Sequence, residues 1–209
     1  MSEPEKPSPT KAEQSARSQR LLIEAASRLF AEKGYADTSV QAIAEASGVS
    51  RGSIGWHFGS KDGLLFAVVD AAFAEWESEV LTRLLREGRG PASLRDVVEA
   101  HLAFVRVNPE LVRLFYVLLF DALGPRADLR PRYQAIYERF RGYGSEWLRA
   151  ARATGAIPAD VDPDAASTTI IGALAGITCQ WHLDPGRVDL DRAHDALAQL
   201  FERGFAPAR

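Results

Sequence analysis

A chain of 209 residues, 46% hydrophobic and 25% charged, has apolar content for one large core or two smaller ones and the composition of an ordinary soluble protein. Its formal net charge of −3 excludes a globally basic nucleic-acid binder, so any contact with DNA must come from local placement of charge. One cysteine, Cys179, excludes an intrachain disulfide and fits a reducing, cytoplasmic setting.

Residues 1–14, MSEPEKPSPTKAEQ, are rich in Pro, Ser, Glu and Lys and lack the apolar run of a secretory leader; they are expected to form a disordered tail. Arg17 to Lys33 reads as the first helix, with Leu22, Ala25, Ala26, Leu29 and Phe30 at helical period and Gly34 as its stop. Tyr35 is expected to pack under the helices that follow, and Thr38 or Ser39 to cap the next one. Thr38 to Leu64 then reads as two short helices joined by a tight turn, with the start of a third. Val40, Ile43 and Ala44 share one side, Gly48 suits the φ > 0 position of the turn, and Ser50 is a good N-cap. Ile54 and Phe58, four apart, face inward. That leaves Ser53, Trp56 and His57 facing outward, with Gly52 beside them and Arg51 on the flank. An exposed Trp next to a His suits a surface laid against DNA better than core packing.

Lys61 to about Glu87 is one long predicted helix, capped by Ser60, with Leu65, Val68, Val69, Ala72, Phe73, Trp76, Val80 and Leu84 as its stripe. At about 1.5 Å per residue it reaches from the first unit well into the next. Gly88, Gly90 and Pro91 break it. A helix from about Leu94 to Val107 follows, with Ser93 and Asp96 as a capping pair. Asn108-Pro109 opens the next, carrying Leu111, Leu114, Phe115, Leu118 and Leu119, and Gly124-Pro125 ends it. Further helices are expected over about 128–154, from Asp162-Pro163 to near Asp184, and from about Asp189 to Gly204. Ala165 to Trp181 is a 17-residue uncharged stretch, but its Ser, Thr and Gln content and its length suit a buried helix rather than a membrane span. No strand, repeat or heptad array is legible. The expected fold is all-α with about nine helices: a helix-turn-helix unit over residues 15–62 and a helical bundle over 63–209.

Val49-Ser50-Arg51-Gly52-Ser53-Ile54, Trp56-His57-Phe58 and Ser60-Lys61-Asp62-Gly63-Leu64 together resemble the signature of the tetracycline-repressor (TetR) family of transcriptional regulators. Ala44 and Gly48, four apart before Val49, fit helix-turn-helix spacing. The match covers roughly residues 16–66; beyond it, only the helical layout is similar. Gly55 stands where family members often carry Tyr, and a helix-interior Gly costs about 1 kcal/mol relative to Ala. The resemblance implies a double-stranded DNA operator with an inverted repeat, bound by a homodimer, and DNA contacts from Thr38, Ser50, Arg51, Gly52, Ser53, Trp56, His57 and Lys61. Residues 15–61 hold six basic against four acidic side chains, so the local basic excess is small.

His194-Asp195 invites a metal-phosphohydrolase reading, and Cys179 and His182 have ligand spacing on one helix. Neither has the further ligands that a metal site needs. No nucleophile–base pattern or phosphate-cradling loop is visible, so neither an enzyme nor a cofactor is expected. Phe73, Trp76, Phe104, Phe115, Tyr137, Phe140 and Trp147 are each compatible with plain core. Together with His101 and Tyr116 they are a candidate lining for a small, mostly apolar effector. Gly172 and Gly176 thin one helix, either for tight packing within the chain or, as the resemblance implies, for a two-fold interface made by the last two helices. Gly172, Gly176, Trp181, Leu197, Leu200 and Phe201 are its candidate residues. The expected function is a DNA-binding regulator, a repressor released by a small molecule when that molecule reaches the shared long helix. The alternatives are a dimeric DNA-binding protein with no effector and an α-helical metal hydrolase.

Overall fold

The computed structural model describes residues 10–84 and 93–205. Among them are nine α-helices and no strand. They are α1 (Lys11–Lys33), α2 (Val40–Ser47), α3 (Arg51–Phe58), α4 (Lys61–Leu84), α5 (Leu94–Val107), α6 (Pro109–Leu123), α7 (Arg130–Ala153), α8 (Pro163–Leu183) and α9 (Leu190–Gly204), with a single 3-10 turn at Ala127–Leu129 before α7.

The first helix starts earlier than its apolar period shows. Thr10 and Glu13 form a capping box: the Glu13 N–H donates to Thr10 Oγ1 at 3.2 Å and the Thr10 N–H to the Glu13 carboxylate at 2.6 Å. This cap carries the helix through residues 11–14, which the composition assigns to a tail. The expected end of α4 at Glu87, and the breakers Gly88, Gly90 and Pro91, lie outside the described residues.

The chain forms two compact units, divided at Ala71 within α4. Leu64, Leu65, Val68 and Val69, all but fully buried, belong to the first unit with Leu22, Ala26 and Phe30 of α1 and Ile43 of α2. Gly48 ends α2 in the left-handed conformation (φ 67°), as the tight turn into α3 demands. Gly63 has a steric role instead. A Cβ there would lie 1.9 Å from the Phe58 carbonyl oxygen, so only glycine lets α4 start this close to the end of α3.

The second unit is a bundle of α5–α9 with the later turns of α4. Leu148 of α7, Ile170 and Leu174 of α8, Val98 of α5 and Ala198 of α9 make one apolar core; Val80, Phe104, Val105 and Val112 make another. At Gly144, α7 approaches α8 so closely that a Cβ would sit 2.3 Å from Ser167 Oγ, and that hydroxyl donates to the Arg141 carbonyl at 3.1 Å. Arg95 of α5 holds Asp195 and Glu202 of α9 at 2.8 and 2.9 Å.

Candidate DNA-binding surface and ligand cavity

The α2–turn–α3 unit places its residues by burial. Ile54 is 2% exposed and anchors α3, which turns Trp56 outward to 74% exposure, an unusual position for so large an apolar ring. His57 packs its ring against the Trp56 indole with centroids 4.3 Å apart. Arg51, Gly52 and Gly55 are exposed on the same short helix. Nothing lies within 4 Å of a Cβ built at Gly55, so the missing side chain leaves open surface rather than a hole in the core. Lys61, at the first turn of α4, holds its ammonium 4.2 Å from the centre of the Tyr35 ring, while the Tyr35 hydroxyl donates to Asp62 at 2.6 Å.

Two expectations need correction. Thr38 is 1% exposed, and its hydroxyl lies 2.7 Å from the Gly34 carbonyl oxygen and 3.2 Å from that of Leu29. Its hydroxyl ties the α1–α2 connection to α1 rather than facing outward. Ser39 caps α2 instead, accepting from the Ala42 N–H at 3.1 Å. Ser50 sits at the N-cap position of α3 but makes no capping bond, because its hydroxyl pairs with that of Ser53 at 2.8 Å.

In the second unit, all nine aromatic and histidine side chains singled out from the sequence line one cavity of about 460 Å³: Phe73, Trp76, His101, Phe104, Phe115, Tyr116, Tyr137, Phe140 and Trp147. Phe140 is its hub, meeting Phe73, Trp76 and Tyr137 with centroids 5.3, 4.3 and 5.6 Å apart in edge-on geometry. Sequence reasoning missed the wall from α8, with Ile170, Ile171 and Leu174, and also Tyr143 and Glu146. The uncharged 165–181 stretch holds the only signal that would have found that wall. Among the described residues, Glu146 is the one carboxylate of the lining, and no Lys or Arg lines it.

Burial holds His101, Tyr116 and Tyr137 neutral. Burial lowers His101 to about 3, with the neighbouring His194 adding to the shift. Burial raises the phenols of Tyr116 and Tyr137, the latter to about 12. His101 Nε2 lies 3.2 Å from Thr178 Oγ1. His194 bonds the Leu190 carbonyl through Nδ1 at 2.8 Å, and its neighbour Asp195 pairs with Arg95, so the two adjacent side chains serve different partners.

The interface candidates on α8 and α9 divide. Gly172 and Gly176 are exposed, with nothing of this chain within 4 Å of a Cβ at either, so intrachain packing does not explain them. Leu200 is 67% exposed, as is Leu183 at 85%, which the sequence reading passed over. Trp181 and Phe201 are half-buried against the apolar cores of this chain. Leu197 is a correction: at 8% exposure it belongs to the core with Leu94 and Val98.

Residues 22–68 match the sequence profile described as bacterial regulatory proteins of the tetR family, and residues 90–206 the C-terminal profile of BetI-type transcriptional repressors. The chain belongs to the TetR family. As a TetR-family protein it is a helix-turn-helix, DNA-binding transcriptional regulator. Among relatives, the probable HTH-type transcriptional regulator ArpR of Pseudomonas putida is 29% identical over 178 residues, covering 81% of this chain and 82% of the relative. The probable acrEF/envCD operon repressor of Escherichia coli is 28% identical over 205 residues, covering 95% and 90%. In fold, SmeT, the repressor of the Stenotrophomonas maltophilia multidrug efflux pump SmeDEF, superposes with a TM-score of 0.72 at 20% identity, over 90% of this chain and 89% of that one. Among the described residues, no helix is long and apolar enough to cross a membrane.

Proposed function

We propose that this TetR-family regulator is a repressor that binds an inverted-repeat operator as a homodimer and is released when a small, mostly apolar effector enters the second unit. The cavity carries this reading. A bundle that served only to dimerise would gain from filling a space of about 460 Å³ with side chains, since close-packed interiors are more stable than hollow ones. An aromatic lining with few polar groups is the usual form of a small-molecule site. The likeness to the acrEF/envCD operon repressor supports repression as the direction of control. Dimerisation through α8 and α9 is supported by the exposed face of Gly172, Gly176, Leu183 and Leu200.

On DNA, Trp56, Ser53, Arg51, Gly52 and His57 of α3 are assigned to the major groove, and Ser50 and Lys61 to phosphates at its edge. Operator footprinting with a salt titration tests this. Lys61→Ala should weaken binding to every sequence and reduce the log–log salt slope by roughly 0.9, one phosphate's worth. Trp56→Ala should change the preference among operator variants instead. Unchanged operator affinity in both variants would remove α3 as the reading element. For release, a compound that raises the melting temperature and also dissociates the operator complex supports the effector reading. Stabilising ligands that all leave the complex intact would favour the effector-free dimer.

A further inference from the structure

His101 of α5 lines the cavity, and its hydrogen-bonding polarity is set by Thr178 of α8, with His194 of α9 stacked behind it. Thr178 is fully buried, and its hydroxyl lies 2.9 Å from the Leu174 carbonyl oxygen. A carbonyl oxygen has no proton to give, so the single hydroxyl proton of Thr178 lies on that contact. Its oxygen, 3.2 Å from His101 Nε2, must therefore accept, and the proton of the neutral His101 ring sits on Nε2. Nδ1 is left as a bare lone pair on a cavity-lining residue, and among the described residues the imidazole makes no other hydrogen bond. His194 repeats the state behind it. Its Nδ1 faces the Leu190 carbonyl and so carries the proton, which leaves a bare Nε2 that is buried and unpartnered. The two rings stack at 5.8 Å, inclined by 27°. The cavity thus presents one acceptor nitrogen, His101 Nδ1, that no donor among the described residues meets, and among the described residues its lining holds no Lys or Arg.

We propose that the cavity selects uncharged aromatic ligands bearing a hydrogen-bond donor, such as a phenolic hydroxyl, and that the bare Nδ1 of His101 receives that donor. The inference rests on the cavity being the effector site. An apolar isostere without the donor loses a hydrogen bond and leaves a buried acceptor unmet, whereas a carboxylate meets a lone pair and no cation. Thr178 is the positioning residue. By holding the proton on Nε2 it keeps Nδ1 an acceptor.

The test compares phenanthrol, the corresponding methoxyphenanthrene and phenanthrene carboxylate at pH 7.5, followed by ligand fluorescence and calorimetry on the full-length protein. Phenanthrol should bind about tenfold more tightly than methoxyphenanthrene, and the carboxylate more weakly than either. His101→Leu should erase the preference for phenanthrol over methoxyphenanthrene, with circular dichroism reporting the intact helices. Thr178→Val frees the ring to change tautomer and should shrink the preference with His101 still in place, so the idea does not hang on one variant. Equal affinities for phenanthrol and methoxyphenanthrene in the unaltered protein, or a preference that survives both substitutions, would overturn this inference and leave the effector site standing. Failure of all three compounds to bind would bring down both.

Discussion

His101 has its ionisation suppressed by its place in the fold, and this has a consequence for stability. Its ordinary value is 6.5 and burial lowers it to about 3. Below pH 6.5 the unfolded chain takes up a proton at this position that the folded chain does not, so the contribution is complete above pH 6.5 and is lost as pH falls toward 3. Between pH 7 and pH 5 this one group should remove roughly 2 kcal/mol of stability. His182 and His194, also lowered by burial, act in the same direction, while Glu75, raised by burial and by Glu79, opposes them. The carboxylates of Asp128, Asp164 and Asp195, held low mainly by hydrogen bonds, lose their contribution only at more acid pH. Denaturant midpoints at pH 7 and pH 5 should therefore converge in His101→Gln relative to the unaltered protein, and parallel pH dependences would show that His101 is not held neutral. At this scale the sequence was legible for Trp56, whose exposure follows from Ile54 and Phe58 facing inward. It misled at Thr38, because a threonine beside a helix start reads equally as a cap, a phosphate contact or a buried tie. Only the Leu29 and Gly34 carbonyls decide between them.

Among the elements, glycines on neighbouring helices of the bundle have opposite roles. Gly144 of α7 is enclosed by Ser167 of α8, whereas Gly172 and Gly176 of α8 face open space. Gly144→Ala should force α7 and α8 apart and lower stability, by about 1–3 kcal/mol for overpacking of this kind. Gly176→Leu should leave the protomer's helix content and cavity binding intact and shift sedimentation from dimer toward monomer. A Gly176→Leu protein that stays fully dimeric would place the interface elsewhere. The helices themselves were legible because their apolar residues keep the 3.6-residue period and their caps are explicit, as at Ser93 with Asp96 and at Asp162-Pro163. The start of α1 was not, since Thr10 and Glu13 cap a first turn with no apolar stripe to announce it. Leu197 went astray for a related reason. The stripe of α9 is real, but it serves the protomer's core first, and periodicity alone does not separate an intrachain face from an interchain one.

At the scale of the molecule, the residues of α4 are divided between the two compact units: Lys61 belongs with the helix-turn-helix, while Phe73, Trp76 and Val80 line the cavity. If an effector in that cavity lowers operator affinity, the coupling is a free energy and must act in both directions. Operator DNA then weakens effector binding by the same factor. A coupling of about 1–3 kcal/mol, enough to change operator affinity roughly 5- to 150-fold, is the usual size. Trp76 touches the cavity and stacks edge-on with Phe140, so Trp76→Ala should change effector affinity much more than the operator affinity of the ligand-free protein. Calorimetric titration of an operator-releasing compound into the protein, with and without saturating operator, measures the factor directly. The ratio of the two effector affinities should equal the ratio of operator affinities with and without effector. Identical effector affinity in both titrations would mean that the compound does not distinguish the two states. However tightly it bound, it could not be what releases the DNA.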